Sequence, residues 1–137
     1  MAQDRSKWFL PGQNVSYGKC PFTQVIFKTY IEGKLTLAET KTLFSFFENL
    51  PSSIGNRTVF LERNQPHSPE RFYGADPIKT KDGHYLVVSN QWSKINWPYF
   101  LRAVHNKFGF ALKCCNLSKE GKAELTGLGL NPQEVNC

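Results

Sequence analysis

One stretch of the chain mixes positive charge with aromatic rings. Between Asp82 and Glu120 no other Asp or Glu occurs, but there are five Lys and Arg residues and seven aromatic residues. The cations are Lys94, Arg102, Lys107, Lys113 and Lys119, and the rings belong to Tyr85, Trp92, Trp97, Tyr99, Phe100, Phe108 and Phe110. Because Lys and Arg bind phosphate groups and flat rings stack on bases, this composition predicts a surface that binds nucleic acid, and we expect DNA rather than RNA.

Side-chain amides lie within the same stretch. Asn90, Gln91 and Asn96 can each donate and accept hydrogen bonds, so they could pair with a base edge, a backbone or another protein. The candidate nucleic-acid-binding residues are Asn90, Gln91, Trp92, Lys94 and Asn96, then Tyr99, Arg102, Asn106 and Lys107 from the outward face of a predicted helix, and finally Lys113. The structural alternative is that Trp92 anchors the core, that the amides satisfy loop backbone groups, and that the cations form a solvated surface.

Catalytic patterns are incomplete in this sequence. The triplets Glu32-Gly33-Lys34 and Glu120-Gly121-Lys122 resemble nuclease fragments but lack a second carboxylate on a neighbouring predicted strand. A cysteine nucleophile would need a histidine held against it, and no local pattern pairs Cys20 or Cys115 with one. We therefore predict that the chain is not an enzyme, and we expect no cofactor and no metal.

The four cysteines, at positions 20, 114, 115 and 137, show no metal-binding spacing. We expect Cys20 and one of the adjacent pair Cys114 and Cys115 to be small buried side chains, and Cys137 to be loose at the terminus. The formal net charge is +6, which favours polyanionic partners. No signal-peptide pattern and no apolar run of ~20 residues is present, so the sequence predicts a cytoplasmic protein without a membrane partner.

Periodicity predicts the elements that position these side chains. A first helix begins at Pro21 and ends at Gly33, and a second begins at the capping box of Thr36 and Glu39. A strand at 58–61, a loop at 64–71 and a hairpin at 77–88 with an Asp-Gly turn follow. A third helix occupies 97–108 between an Asn96 cap and Gly109, and a last strand at 110–114 is expected to return to the hairpin sheet.

The predicted order is α-α-β-β-β-α-β, which is an α+β fold with a small antiparallel sheet. We predict an N-terminal arm at 1–19, a domain at 20–116 and a C-terminal tail at 117–137. The first two helices could form a helix-turn-helix that enters a DNA groove, or an αα-hairpin that supports the sheet. A winged-helix likeness is loose, because the predicted hairpin precedes the third helix instead of following a recognition helix.

The segment around Asn90 also resembles a bacterial module that often accompanies restriction-type or ATPase domains. That module ends in a V-x-N-Q-W-G pattern followed by N, F, A and L-G-Y. The matching residues here are Val88, Asn90, Gln91, Trp92, Asn96, Phe100, Ala103, Phe108, Gly109 and Phe110, with Tyr17-Gly18-Lys19 and the 35–39 segment upstream. Ser93 replaces the glycine and Phe110 the tyrosine. The resemblance implies that the chain is associated with DNA-defence systems. It supplies no catalytic residues.

Two functions follow from these observations. The first is a small, non-catalytic DNA-binding module of a bacterial or phage defence-related system, whose basic aromatic residues bind phosphates. The second is a protein-interaction module or inhibitor that uses the same residues against a nucleic-acid-processing enzyme.

Overall fold

The computed structural model describes residues 5–137, which fall into two compact units. Unit 1 joins the chain up to Phe22 with Trp92–Cys137, and unit 2 is Thr23–Gln91. Helices and small sheets occur together, so the predicted α+β class is confirmed. The described residues form four α-helices and seven strands, because two short strands precede the first helix and another helix and strand follow the predicted last strand.

Sheet A lies in unit 1 and has the strand order β2-β1-β6-β7. Its strands are β1 (Lys7–Phe9), β2 (Ser16–Tyr17), β6 (Lys113–Cys115) and β7 (Gln133–Glu134). All neighbours are antiparallel except β6 and β7, which run parallel. The segments predicted as an arm and a tail therefore contribute strands to one sheet.

The partner of the last predicted strand differs from the prediction. That strand forms as β6, but it pairs with β1, with Trp8 opposite Cys114, instead of returning to the hairpin sheet. Trp8 is fully buried, and its neighbours Phe9 and Leu10 are also buried. The apolar N-terminal patch thus occupies the position beside β6, and a strand's own periodicity does not encode which edge it joins.

The third helix agrees with its prediction. Helix α3 runs over Trp97–Phe108 and ends where Gly109 adopts φ 74°, the left-handed conformation of a helix C-terminus. Its inward stripe packs into an aromatic cluster of Trp8, Phe22, Trp92, Trp97 and Phe100, with ring centroids 5.1–6.5 Å apart. Helix α4 (Lys119–Gly127) follows and buries Leu125.

The cysteines correct two expectations and support a third. Cys20, which was expected to be buried, is only half-buried. Cys115 forms a disulfide with Cys137, so the terminal residue is not loose. Adjacent strand residues point to opposite faces, and Cys114 is accordingly buried on the face that carries Trp8. The disulfide was missed because two cysteines 22 positions apart have no spacing signal of their own.

Two helical segments run through the start of unit 2. Helix α1 (Lys19–Ile26) begins in unit 1 and continues into unit 2, where it ends in a π-helical turn over Phe27–Ile31. Helix α2 (Leu37–Phe44) continues as a 3₁₀ turn over Ser45–Asn49. The predicted capping box is confirmed, because the Glu39 backbone N–H donates to Thr36 Oγ1 at 3.1 Å and the Thr36 N–H donates to the Glu39 carboxylate at 2.9 Å.

Sheet B lies in unit 2 and has the order β3-β5-β4. Its antiparallel strands are β3 (Phe60–Glu62), β4 (Phe72–Lys79) and β5 (Tyr85–Ser89), and Gly83 supplies φ 89° in the β4–β5 turn. Phe27 stacks on Phe44 at 5.6 Å, and Phe60 of β3 packs against both rings. Both helical segments thus pack against sheet B through Phe27 and Phe44, and the winged-helix likeness is not confirmed.

A carboxylate fixes the β4–β5 turn to the start of α2. Asp82 Oδ1 accepts from the Thr80 hydroxyl at 2.6 Å and from the Leu37 backbone N–H at 3.0 Å. These hydrogen bonds, led by the one from Thr80, favour the ionised form and lower the pKa of Asp82 from its ordinary value.

The lowered pKa predicts how acid weakens the fold. The stabilisation from Asp82 is fully present above the ordinary aspartate pKa and is lost as the pH falls through the lower pKa of the folded state. In denaturant melts taken at neutral and at strongly acidic pH, we expect Asp82→Asn to lose less stability on acidification than wild type does. Equal losses in the two proteins would contradict this account.

Candidate nucleic-acid interface

The net charge of the chain is concentrated in unit 1. Unit 1 contains nine Lys and Arg against four Asp and Glu, whereas unit 2 contains eight against seven. Five of the six net positive charges therefore belong to the unit that also contains α3 and β6. Such an imbalance attracts polyanions more strongly than an even mixture of signs does.

Some cations of each unit form ion pairs and others do not. In unit 2, Lys28 binds Asp76 at 2.8 Å and Glu32 at 3.2 Å, and these carboxylates raise the pKa of Lys28. Unit 1 has an ion pair between Lys122 and Glu134 at 3.0 Å. Five other lysines of unit 1 make no ion pair with any residue in the 5–137 range: Lys7, Lys94, Lys107, Lys113 and Lys119. Their charge is available to a partner.

The outward face of α3 brings three predicted residues together. Tyr99, Arg102 and Asn106 are spaced by three and four residues, so they follow one another along one side of the helix. The Arg102 guanidinium lies 5.3 Å from the centroid of the Tyr99 ring, a cation–π contact that limits its motion. Asn106 and Lys107 are exposed near the end of the helix. This face presents two cations, a ring and an amide.

Lys113 lies on β6 and, like Arg102, makes a cation–π contact with an aromatic ring. Its ammonium is 5.0 Å from the centroid of the Phe9 ring, on the neighbouring strand β1. The same face of sheet A carries Lys7, because strand residues two apart point the same way. This sheet face therefore adds a pair of cations to unit 1, and Lys7 was missed because it lies in the predicted arm.

Two of the predicted residues have structural roles inside unit 1. Asn96 occupies the cap position of α3 but is only 2% exposed, and its side chain caps no helical N–H. Its Oδ1 instead accepts from the Ser93 backbone N–H at 2.7 Å, which closes the loop that carries Lys94. Trp92 packs against Trp97 and Phe100 at 5.5 and 5.1 Å. Trp92 therefore fits the structural alternative, in which it anchors the core. Asn96 is buried and is not one of the surface residues that a partner could contact.

Asn90 and Gln91 belong to unit 2, at the end of β5. The Asn90 amide donates to the Glu70 carbonyl at 3.0 Å, and the Gln91 amide donates to Asn90 Oδ1 at 2.7 Å. The Gln91 backbone N–H donates to the Ser89 hydroxyl at 3.1 Å. Asn90 thus satisfies a loop carbonyl, as the structural alternative expected, while Gln91 stays exposed at the surface.

The sequence prediction also missed an open cleft in unit 2. Its volume is about 580 Å³, and it is lined by the loops before β3 and β4 and by the end of β5. Arg71 and Gln91 line it, and Phe72 and Leu61 supply apolar surface. The proline-containing loop at 64–71 was predicted as a surface loop that could be mobile or could contact a partner, and no periodic signal marks a cleft that three separate segments line.

The groups considered for catalysis are dispersed or engaged. Burial raises the pKa of the Cys20 thiol, which disfavours the reactive thiolate, and Cys115 is in the disulfide. His105 Nδ1 lies 2.6 Å from the Phe110 carbonyl oxygen. Across residues 5–137, no three His, Cys, Asp or Glu side chains are grouped so that they could hold a metal ion.

Comparison with known proteins adds no assignment. No family model, curated protein or solved structure matches the chain. Within the described part of the chain, none of the helices has the length and apolar character that crossing a bilayer requires.

Proposed function

We propose that the chain is a non-catalytic nucleic-acid-binding module that acts on DNA, in keeping with its resemblance to a module of bacterial defence systems. The observation that supports this most directly is the set of lysines without ion pairs in unit 1, the unit that also contains Arg102 on α3. Ordinary surfaces mix both signs of charge, whereas this unit has more than twice as many cations as anions. Phosphate groups are the partner that neutralises such a surface.

Charge reversal on α3 tests the proposal. Arg102→Glu combined with Lys107→Glu is expected to weaken binding to a labelled DNA duplex at least tenfold, on the order of two lost phosphate contacts. The dependence of log affinity on log salt should also become shallower by about two. Fluorescence anisotropy at two or more salt concentrations measures both quantities, and a single strand and a matched RNA tested alongside show which nucleic acid is preferred.

The matched control reverses two cations of unit 2. Arg63→Glu combined with Lys81→Glu makes the same change in net charge at exposed positions outside α3. It is expected to keep most of the wild-type affinity. If both double variants weakened DNA binding equally, the change in net charge alone would explain the effect of the α3 variant. If the wild-type protein did not bind DNA even at low salt, the proposal would be rejected.

A protein-binding role is the second candidate, and exposed aromatic residues favour it. Tyr73 and Tyr85 are 48% and 38% exposed, and the Arg63 guanidinium lies 4.3 Å from the centroid of the Tyr85 ring. Tyrosine and arginine are enriched among residues that dominate protein interfaces. Under this alternative, Tyr85→Ala would abolish capture of one defined nucleic-acid-processing enzyme from nuclease-treated lysate and leave DNA affinity unchanged.

A further inference from the structure

We infer that the cleft of unit 2 binds a single nucleotide. This inference rests on the proposed nucleic-acid function and identifies the site that would contact one base selectively. The lining combines three kinds of group. Arg71 supplies a cation, Phe72 and Leu61 supply apolar surface, and Gln91 supplies an amide. A nucleoside phosphate presents the three matching features: an anion, a flat ring and a polar base edge.

Arg71 is the charged group of the cleft. Its side chain is exposed, and no carboxylate within residues 5–137 lies in ion-pair contact with it. The preceding carboxylate, Glu70, accepts a hydrogen bond from the Ser68 hydroxyl, which lowers the pKa of Glu70, and the positive charge of Arg71 lowers it further. Guanidinium groups bind phosphate through two parallel hydrogen bonds, so Arg71 suits one phosphate group.

Backbone pairing fixes Arg71 and Gln91 in register. The Asn90 N–H donates to the Arg71 carbonyl at 3.0 Å, and the Asn90 amide donates to the Glu70 carbonyl. The buried Ser89 hydroxyl accepts from the Gln91 N–H and from the Asn56 amide at 3.1 Å each. The backbone that carries Arg71, Gln91 and Asn56 is therefore already ordered before a ligand binds. This lowers the entropy that binding costs.

The size and charge of the cleft favour a nucleotide over a bare anion or an extended strand. Its volume of about 580 Å³ is typical of a small-molecule site, and a phosphate alone would leave Phe72 and Leu61 uncovered. Unit 2 has eight cations against seven anions, so it lacks the charge to hold a run of phosphates. The base would lie against the apolar wall, where amides can pair with its edge.

Titration of the full chain with the four deoxynucleoside 5′-monophosphates, monitored by two-dimensional NMR, tests the inference. We expect binding of at least one nucleotide, with shifts at 68–72 and 89–91, and weaker binding of inorganic phosphate. Arg71→Gln is expected to weaken it about tenfold, the usual effect of losing a charge-assisted hydrogen bond. Arg63→Gln is the matched control, because this exposed arginine of unit 2 lies outside the cleft lining, and it should bind as wild type does.

The outcomes separate this inference from the proposed function. The nucleotide site is rejected if no monophosphate shifts the cleft residues, if inorganic phosphate binds as tightly, or if Arg71→Gln binds like wild type. A protein that keeps salt-dependent DNA binding while failing these tests retains the proposed function without the nucleotide site. Repeating the titration with a short single-stranded DNA shows whether the cleft binds a free nucleotide or a nucleotide within a strand. If it binds a nucleotide within a strand, Arg71→Gln should also weaken binding of the oligonucleotide.

Discussion

Replacing Trp97 with alanine is expected to lower the free energy of unfolding by about 3–5 kcal/mol, the usual cost of removing a large buried aromatic side chain. Trp97 is 2% exposed and packs against Trp8, Phe22, Trp92 and Phe100, with ring centroids 5.2–6.1 Å away. Its loss would leave a cavity that these rigid rings cannot easily fill. Urea unfolding monitored by far-UV circular dichroism measures the change.

Two further variants make this result specific. Ile95→Ala removes an apolar side chain two residues away that is 40% exposed, and it is expected to change stability by no more than about 0.5 kcal/mol. Trp97→Phe keeps a ring and removes an indole N–H that finds no acceptor within residues 5–137, so it should retain most of the stability. A Trp97→Ala protein as stable as Ile95→Ala would show that the aromatic cluster does not hold unit 1 together.

Loss of the disulfide is the second large effect. Cys137→Ser should lower the free energy of unfolding by about 3 kcal/mol, because the bond between Cys115 and Cys137 closes a loop with a sequence separation of 22 residues. In the absence of the bond, the unfolded chain regains the conformations that the closed loop excludes. The measurement is urea unfolding with and without reductant.

Reductant provides the internal control for this prediction. Wild type treated with reductant should unfold like Cys137→Ser, and the variant itself should not respond to reductant. If thiol titration of the native protein found four free cysteines, the disulfide would be refuted. Disulfides are rare in reducing cytosol, so the bond weighs against the cytoplasmic location, which remains a prediction.

Local patterns in the sequence predicted α3 and the α2 capping box well. The stripe through Trp97, Phe100 and Leu101 and the glycine at 109 are signals within one helix, and the Thr36 box spans four residues. The position of Arg102 could also be predicted from the sequence, because helical spacing places it opposite the buried stripe. Such features depend on neighbours close in the chain.

Features that depend on distant residues were not predictable in the same way. The pairing of β1 with β6 brings Trp8 beside Cys114, and the parallel pairing of β7 with β6 accompanies the disulfide. Asn96 was predicted as a helix cap and a surface contact, yet it is buried and its side-chain oxygen closes the loop at 93–96. The cleft around Arg71 is formed by three separate segments, and their meeting has no signature in any one of them.

The division of the chain into units has a consequence for how it folds during synthesis. Unit 2 is one continuous segment, so its chain is complete once Gln91 has been made. Unit 1 is discontinuous, and β1 cannot acquire its partner β6 until more than ninety further residues have been added. On the ribosome, β1 would have only the two-residue strand β2 beside it, and Trp8 and Phe9 would stay exposed while unit 2 assembles. Pairing over such a distance along the chain is slow, so closing sheet A is expected to be the last step and the one most exposed to aggregation.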